Sequence, residues 1–355
     1  MTNTLKTAAK LQKLFQLRKI FEENFAFPCI YANFIVILQP NFNLAYCGLM
    51  TIAIFGNAMK SNTLTEVRHI LDFLSHYGND YHMTEKGIHV LLSQELRQEL
   101  NLREYPGFPE NWDGDQQPEN VYGEPIDFAL SVGGDGTFLT SAATVGNKNI
   151  PILGVNCGHL GFLAEVQTQD LDDILHKLIE GQYTIEQRSL LHLTVMDKDG
   201  IAKDGLILSP NALNEIAILK QGLTNMLTIE TRINGELLHT YHSDGLVIAT
   251  PTGSTAYNLS IGGPLLVPQS RGIILTPIAP HSLTVRPIVI LDEWKLDFKI
   301  SSRYDSYMVS VDGRSQSLST DMSLHIERAP YTVKVVQIGD NSFLKSLRTK
   351  LNWGR

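Results

Sequence analysis

One short stretch of the chain combines flexible backbone with a single carboxylate. Residues 131–137 read Ser-Val-Gly-Gly-Asp-Gly-Thr and follow the apolar run 126–130. This pattern predicts a buried strand that ends in three glycines around Asp135, with a helix beginning at Thr137. Glycine lets backbone amides approach a phosphate, and the positive end of a helix dipole favours the same ligand. An acid among such amides indicates a metal ligand or a base directed at a hydroxyl that receives a phosphoryl group, so the sharpest hypothesis is a kinase that works through Asp135.

A second stretch pairs an amide with a carboxylate. Residues 211–215 read Asn-Ala-Leu-Asn-Glu and lie just before a predicted strand. Asn214 offers a paired donor and acceptor that match a purine edge, and the Glu215 carboxylate suits a ribose or a metal. Taken alone, such a pair in a turn is more often structural, so both interpretations stay open.

The densest polar stretch covers residues 241–264, where hydroxyls and glycines are frequent. It indicates a backbone that approaches a nucleoside, with Tyr257 as a ring on which a base can stack. The alternative is a hydrogen-bonded turn. His159 and His281 are interpreted as structural histidines, since no spacing indicates a zinc site. Residues 312–314 (Asp-Gly-Arg) form either a simple hairpin turn or a contact to the ligand.

The order of the predicted elements gives the fold class. Up to about residue 180, short apolar strands alternate with helical segments. This alternation predicts a Rossmann-like parallel sheet that binds ligands beyond the carboxyl ends of its strands. From about 185 to 330, short β-forming runs follow one another with little predicted helix, among them 215–219, 227–233 and 323–327, and a last strand is predicted over 331–338. We therefore expect an α/β N-terminal domain, an all-β C-terminal domain and an active site in the crevice between them.

The same pattern divides the chain into four segments. Residues 50–184 are expected to form the α/β domain with the Gly-Gly-Asp-Gly motif, 185–330 the β-rich ligand-binding domain, and 331–355 a segment that packs back on the first domain. Residues 1–49 precede the first strand and are interpreted as an appendage or an upstream misread start, or else as a partner-binding extension. Residues 103–125, rich in proline and glycine, are a flap over the site or a solvated insertion.

Composition limits the class of protein. Apolar residues make up 43% of the 355-residue chain and charged residues 19%, as in ordinary globular proteins. The net charge of −8 argues against nucleic-acid and anionic-membrane partners. The three cysteines are far apart, which argues against a disulfide framework or a cysteine zinc site and fits the cytoplasm. No apolar run reaches the roughly 20 residues of a membrane helix, and no signal peptide stands out.

At these motifs the sequence resembles the NAD kinase family, in its bacterial type. The resemblance runs from about Met50 to the C-terminus in the family's order. It rests on Gly133-Gly134-Asp135-Gly136-Thr137, Gly154-Val155-Asn156 with Gly158, Leu160-Gly161-Phe162-Leu163, Asn214-Glu215, Asp244-Gly245, residues 250–257 with Ser260, Gly262-Gly263-Pro264, Pro280-His281 and Arg286-Pro287. It implies transfer of the γ-phosphoryl group of ATP, in some members of inorganic polyphosphate, to the 2′-hydroxyl of the adenosine ribose of NAD. The product is NADP, and a divalent ion (Mg²⁺ or Mn²⁺) is expected to bridge the phosphates.

The resemblance also implies roles for individual residues. Asp135 is the expected catalytic base at the 2′-hydroxyl. The expected phosphate site consists of Gly133, Gly134, Gly136 and Thr137. The residues expected to contact NAD are Asp135, Gly136, Asn214, Glu215, His242, Asp244, Thr255, Ala256, Tyr257, Asn258, Leu259, Ser260 and Ala279. No protein ligand is assigned to the metal.

The role of a carboxylate base needs a physical qualification. A free aspartate has a pKa of about 3.9, far below that of a sugar hydroxyl, so it does not deprotonate the alcohol beforehand. In a loose phosphoryl-transfer transition state the nucleophile needs little early deprotonation. We therefore expect Asp135 to orient the hydroxyl and accept its proton late.

Two other functions remain as alternatives. Lipid and sphingoid kinases share a Gly-Gly-Asp-Gly turn, but the nucleoside-suited groups of residues 250–263 argue against them. A non-catalytic NAD(P) sensor would keep the pocket and lose turnover. Members of the NAD kinase family are commonly homodimers or homotetramers, so the resemblance implies self-association through the β domain.

Overall fold

The fold was analysed in a computed structural model of the chain. The structure describes residues 50–80, 88–109, 112, 117–120, 123–158, 161–207, 209–222, 226–339 and 343–354. For residues 78–80 it describes the backbone alone. The predicted extension 1–49, parts of the insertion 103–125, and His159 and Leu160 lie outside the described residues.

The first half of the described chain alternates strands with helices. Its strands are β1 (Met50–Gly56), β2 (Ile88–Leu92), β3 (Phe128–Gly133), β4 (Ile152–Asn156) and β5 (Val166–Gln167). Its helices are α1 (Ser61–Asp80), α2 (Gln94–Glu99), α3 (Asp135–Val145) and α4 (Leu171–Ile179), with a 3₁₀ turn at Thr168–Asp170. All six residues of β3 are buried, as expected for a parallel strand covered on both faces.

The second half consists almost entirely of strands. They are β6 (Thr184–Met196), β7 (Asn211–Ala212), β8 (Glu215–Leu219), β9 (Leu227–Ile233), β10 (Glu236–Ser243), β11 (Gly245–Ala249), β12 (Gly272–Ile278), β13 (Ile288–Leu291), β14 (Leu296–Ser301), β15 (Ser306–Val311), β16 (Arg314–Ser319) and β17 (Ser323–Gln337). A 3₁₀ turn at Thr252–Thr255 and the short helix α5 (Tyr257–Ser260) interrupt them, and α6 (Phe343–Lys350) follows β17. The predicted fold class, α/β followed by all-β, is confirmed.

Two sheets organise the described strands. The larger has the path β10-β9-β14-β17-β4-β3-β1-β2, with β5 beside β4 and with β6 and β7 beside β17. Its β1–β4 part is parallel, and β17 joins it through the parallel pair Val335 with Ile152. The smaller sheet is antiparallel, in the order β13-β12-β11-β8-β15-β16. Strand β17 pairs with strands of both halves, so the larger sheet does not mark where one domain ends and the next begins. The predicted domain boundary at residue 184 therefore stays a prediction.

Two predicted boundaries were wrong. Helix α3 begins at Asp135 rather than Thr137, because extended Gly134 already serves as its N-cap. The runs 323–327 and 331–338, predicted as two strands, form the single strand β17. Its pairing with β6 shifts register between Arg328 and Thr332. Pro330 lies within that irregularity, where a missing N–H is tolerated.

One apolar cluster connects the elements that carry the sequence motifs. Phe138 of α3, Leu163 after β4 and Leu213 before β8 belong to the same buried group, together with Val333 of β17. Phe138 has no exposed surface, and burial of a phenylalanine contributes about 1.5–3 kcal/mol. The cluster fixes α3 against the segments that precede Asn214 and follow Asn156.

Candidate active site

The Asp135 carboxylate lies where two parallel strands end. Strand β3 pairs with β4 up to Gly133 and Asn156, and Asp135 is the first residue of α3. The loop after β4 begins beside this turn: the amide of Cys157 donates to the carbonyl of Gly133 at 3.1 Å. The Gly-Gly-Asp-Gly turn and the loop after β4 therefore form one structure, which we call the carboxylate cradle (residues 133–137 and 161–164).

Three consecutive backbone amides hold the Asp135 side chain. Phe162 N–H donates to Oδ2 at 2.8 Å, while Leu163 and Ala164 donate to Oδ1 at 3.0 and 3.1 Å. Hydrogen bonds to an ionised carboxylate are stronger than neutral ones. A carboxylate offers about four lone-pair sites. Three are used here, so one site on Oδ2 remains for a further donor.

Glycines allow this close approach. A Cβ on Gly161 would overlap Asp135 Oδ1, and a Cβ on Gly154 would lie 2.8 Å from Ala164 Cα and from Leu163 O. By contrast, a Cβ on Gly158, in the same loop, would meet nothing within 4 Å. The glycine requirement at 154 and 161 therefore comes from packing of the cradle.

Two of the four predicted phosphate-site residues, Gly134 and Gly136, border open space. A Cβ on Gly133 would overlap Thr137 Oγ1, so that position is constrained by the chain itself. A Cβ on Gly134 or on Gly136 would meet nothing within 4 Å. The first turn of α3 leaves its amides without intrahelical acceptors. Both features suit an anion, while the assignment of these residues to a phosphate stays a prediction.

A second carboxylate holds the Asn214-Glu215 pair in the same manner. Asp312 accepts N–H bonds from Leu213 (2.8 Å, Oδ2), Asn214 (2.8 Å, Oδ1) and Glu215 (3.1 Å, Oδ1). Asp312 and Gly313 have φ angles of +46° and +81° and form the two-residue hairpin between β15 and β16. The hairpin interpretation of residues 312–314 is thus confirmed, and this carboxylate binds backbone amides.

Glu215 has a buried carboxylate with a free oxygen. Burial and the nearby charge of Asp312 raise the pKa of Glu215 to about 7, opposed by the backbone N–H of Tyr257. Its Oε2 atom has no hydrogen-bond partner among the described residues. A buried acceptor without a partner costs about 1–3 kcal/mol, so this oxygen is suited to a ligand hydroxyl.

The predicted nucleoside stretch packs directly on Asn214. Thr250 N donates to Asn214 O at 2.8 Å, Thr250 Oγ1 donates to Leu213 O at 2.5 Å, and a Cβ on Gly253 would overlap Asn214 O. The predicted ligand contacts Thr255 and Ala256 are half-buried. Tyr257 and Ser260 are exposed, and Leu259 is half-buried.

Asn258 differs from its neighbours in this stretch. Its side chain is fully buried, and its amide donates to the carbonyls of Ser254 (3.2 Å) and Pro264 (3.0 Å). Its Oδ1 accepts from Thr276 Oγ1 at 2.7 Å, and a Cβ on Gly263 would overlap it. The Asn258 side chain therefore holds the loop together, and its predicted contact with NAD is untested.

The remaining predicted contacts lie at the ends of β10, β11 and β12. Asp244 accepts from Lys220 Nζ at 2.8 Å, and its backbone N–H donates to Ile278 O at 3.0 Å. Ala279 follows Ile278 with a φ of +43°, a conformation that costs energy for a residue with a Cβ. The exposed His242 lies within reach of Thr228 Oγ1, at 3.1 Å from its Nδ1.

Several polar groups of this region were missed by the sequence prediction. They are Lys220, the amides of 162–164, Glu165 and Lys350. Lys220 follows Leu219, which pairs with Gly245, so the strand register places Lys220 beside Asp244. Lys350 lies far along the chain from the motifs and has no local sequence signal. Across the described residues, no three His, Cys, Asp or Glu side chains come together to hold a metal ion.

Comparison with protein families matches two adjacent domains. Residues 52–183 match the family described as ATP-NAD kinase N-terminal domain. Residues 213–338 match the ATP-NAD kinase C-terminal domain. The two matches contain the Asp135 and Asn214-Glu215 motifs respectively, and they give no support to the lipid-kinase or sensor alternatives.

Curated relatives and solved structures agree with these matches. An NAD kinase of Bacteroides fragilis is 43% identical over 305 residues, covering 86% of this chain and 98% of the relative. An NAD kinase of Flavobacterium johnsoniae is 38% identical with the same coverage. A yeast NADH kinase complexed with NADH has a TM-score of 0.71 at 23% identity, covering 86% of this chain and 89% of that one. An Archaeoglobus fulgidus NAD kinase in complex with ATP has a TM-score of 0.63 at 24% identity, covering 85% and 99%.

None of the helices in the described part of the chain is both long and apolar enough to cross a membrane.

Proposed function

This chain belongs to the NAD kinase family, and we propose that Asp135 aligns the acceptor hydroxyl at its free Oδ2 lone pair. The enzyme transfers the γ-phosphoryl group of ATP to the 2′-hydroxyl of the adenosine ribose of NAD, and the product is NADP. The observation that supports the role of Asp135 is its set of three amide bonds, which fix the carboxylate and leave one acceptor site.

The cradle determines what Asp135 can do. A fixed acceptor points the hydroxyl oxygen at the phosphorus without the entropy loss of ordering a mobile side chain. The three N–H donors also hold both carboxylate oxygens in one orientation. Asp135 receives the hydroxyl proton late, when the new O–P bond is well advanced.

The phosphates of ATP are expected at the open side of the cradle, near Gly134 and Gly136. Because most oxygen sites of Asp135 accept amides, this carboxylate would contribute little to holding a divalent ion, which would be bound mainly by the phosphates of ATP. Such an ion supplies charge neutralisation at the phosphates.

The second half of the chain is expected to bind NAD. Asn214 and Glu215, fixed by Asp312, face the loop that carries Thr255, Ala256 and Tyr257. We assign the free Glu215 oxygen to a ribose hydroxyl and the exposed Tyr257 ring to stacking. Asp244, His242 and Ala279 are assigned to the nicotinamide side, with Lys220 fixing the Asp244 carboxylate.

An assay of the purified chain with NAD, ATP and Mg²⁺ tests the proposal directly. NADP formation that depends on both substrates is expected. Repeating the assay with polyphosphate in place of ATP, and with NADH in place of NAD, shows which phosphoryl donors and acceptors the enzyme uses. Phosphorylation of diacylglycerol or a sphingoid base without NADP formation would contradict the assignment, and so would NAD binding without turnover with any donor.

Substituting Gly161 tests whether the cradle matters for catalysis. In Gly161→Ala the new Cβ collides with Asp135 Oδ1, so the loop must move and loosen the three amide bonds. We expect kcat to fall by about 100-fold, comparable with the loss of a positioned catalytic group. Gly158→Ala is the matched control, because its Cβ enters open space in the same loop. Equal activities of the two variants would show that the carboxylate cradle does not contribute to catalysis.

The raised pKa of Glu215 predicts pH-dependent binding of NAD. If the ionised carboxylate accepts a ribose hydroxyl, a pKa of about 7 makes the free enzyme mostly competent at pH 8 and mostly protonated at pH 6. The Kd for NAD, measured by calorimetry, should therefore rise about tenfold from pH 8 to pH 6. Glu215→Gln should remove this slope, and an unchanged slope in that variant would assign it to another group.

The same pKa shift has a consequence for stability with a definite sign. A carboxyl whose folded-state pKa lies above 4.5 opposes folding once it ionises, so stability falls as the pH rises from 4.5 through 7. Glu215→Gln should therefore stabilise the protein at pH 8 and have little effect below pH 4.5. Thermal unfolding at the two pH values measures the difference.

Self-association and a cytoplasmic location remain proposals. Strand β13 is an edge of the smaller sheet, and three of its four residues expose apolar side chains: Ile288, Val289 and Leu291. An exposed apolar edge is a common site of association between chains. It supports a homodimer or homotetramer formed through the β domain.

A further inference from the structure

The C-terminal helix brings a buried ammonium group to the carboxylate cradle. Lys350 is the last residue of α6, and its side chain is 6% exposed. Its Nζ lies 4.9 Å from the centroid of the Phe162 ring, and Phe162 is the residue whose amide binds Asp135 Oδ2.

This ammonium group has no hydrogen-bond acceptor among the described residues. Its nearest carboxylate oxygen, Glu165 Oε1, is 3.7 Å away, beyond hydrogen-bond distance, and the same oxygen accepts from Ser346 Oγ at 3.4 Å. Burial lowers the pKa of Lys350 below its usual value, and the nearby carboxylates of Glu165 and Asp135 offset only part of this shift. The ammonium group is therefore paired with Glu165 in charge and lies over the Phe162 ring, but its N–H donors lack an acceptor at hydrogen-bond distance, which a ligand oxygen would supply.

The surroundings indicate which ligand that is. A small group carrying several oxygens can accept from more than one of these donors, and the proposed acceptor hydroxyl lies at the cradle beside Lys350. The carbonyl end of α6 also favours a cation at this position. A tetrahedral phosphoryl group next to Asp135 has the required oxygens and a complementary charge.

We propose that Lys350 is a further catalytic residue, whose Nζ donates to a non-bridging oxygen of the phosphoryl group in transfer. This inference rests on the proposed function of Asp135. In the step, the bond between O2′ and Pγ forms as the bond from Pγ to the β,γ-bridging oxygen breaks. ADP leaves with that electron pair, and the hydroxyl proton passes to Asp135. Lys350 stays protonated and compensates the charge on the three equatorial oxygens.

The test compares Lys350→Met with Arg348→Met, which removes one exposed positive charge from the same last turn of α6. We expect kcat of Lys350→Met to fall by 100-fold or more, with the Kd for NAD within threefold of wild type. Arg348→Met should stay within twofold in both quantities. Lys350→Arg should recover part of kcat, because it keeps a charged donor. A kcat within threefold of wild type for Lys350→Met would overturn the proposal.

A second measurement separates contact with the phosphoryl group from support of the loop. If Lys350 only holds Phe162 in place, Lys350→Met and Lys350→Gln should speed hydrogen exchange at the amides of 162–164 and weaken NAD binding tenfold or more. That outcome would overturn the proposal. Unchanged exchange together with the lower kcat would support it.

A measurement of nucleotide affinity tests the role of Lys350 without requiring turnover. The wild-type protein should bind β,γ-imido-ATP more tightly than ADP, and Lys350→Met should lose that preference. A preference retained in Lys350→Met would overturn the proposal. Failure of the wild-type protein to form NADP would instead reject the proposed function, and the binding preference would still decide whether Lys350 contacts the terminal phosphate.

Discussion

Asp135→Asn is expected to lower the kcat for NADP formation by about 1,000-fold or more, which corresponds to about 4 kcal/mol in the activation barrier. The variant loses the proton acceptor and the charge that orients the hydroxyl. NAD binding should change by less than tenfold, because one hydrogen bond among many contacts is altered. Steady-state kinetics and calorimetry on the same preparation measure both quantities.

The cradle makes this substitution more than a loss of charge. An asparagine Oδ1 can still accept from Leu163 and Ala164, but its NH₂ group would face the N–H of Phe162. Asp127→Asn is therefore the matched control. Asp127 Oδ2 accepts the amide of Thr51 at 2.7 Å in the same domain and outside the site. If Asp127→Asn is near normal and Asp135→Asn keeps more than a tenth of the activity, Asp135 is not the acceptor of the proton.

Asp312→Ala is expected to weaken both the fold and NAD binding. The change leaves the amides of Leu213, Asn214 and Glu215 without their acceptor, and each unmet buried donor costs about 1–3 kcal/mol. We expect the free energy of unfolding to fall by about 3–5 kcal/mol, since solvent replaces part of the loss. The Kd for NAD should rise about 100-fold, because Asn214 and Glu215 lose their fixed positions.

Asp305→Ala controls for the strained backbone at this site. Asp305 also has a positive φ, of +51°, and lies in the turn between β14 and β15. Both alanine variants therefore carry the cost of a left-handed alanine, about 1–2 kcal/mol. Asp312→Asn, which keeps one acceptor oxygen, should lie between wild type and Asp312→Ala. Chemical denaturation measures the free energy of unfolding of each variant, and calorimetry measures its Kd for NAD. Equal effects of the substitutions at 305 and 312 would contradict the proposal that Asp312 holds Asn214 and Glu215 in place.

The sequence alone predicted the parts of the fold that local patterns encode. The apolar run before Gly133, the glycines and the β-forming runs after 185 are each recognised from residue types and spacings within ten consecutive residues. These predict β3, β8 and β9 within two residues of their observed bounds, and they predict the fold class. The start of α3 was misplaced because an aspartate after glycine also fits a loop.

The contacts that hold the site residues in place could not be predicted from local sequence patterns. Asp312 is 97–99 residues from the amides it binds, and Phe162 is 27 residues from Asp135. Lys350 reaches the cradle only because β17 crosses the larger sheet and α6 turns back toward Glu165. Pairings of this kind depend on strand order and register, which a single sequence does not specify.

The continuity of β17 has a mechanical consequence for how substrates enter. A hinge that opened the α/β half away from the β half would have to bend the paired strands β6 and β17 together and separate β17 from β4 at Val335 and Ile152. The sheet therefore acts as a stiff frame. Exchange of NAD and NADP is then expected to involve side chains and loop segments at the site rather than movement of whole domains, and local motions of that kind are faster than domain motions.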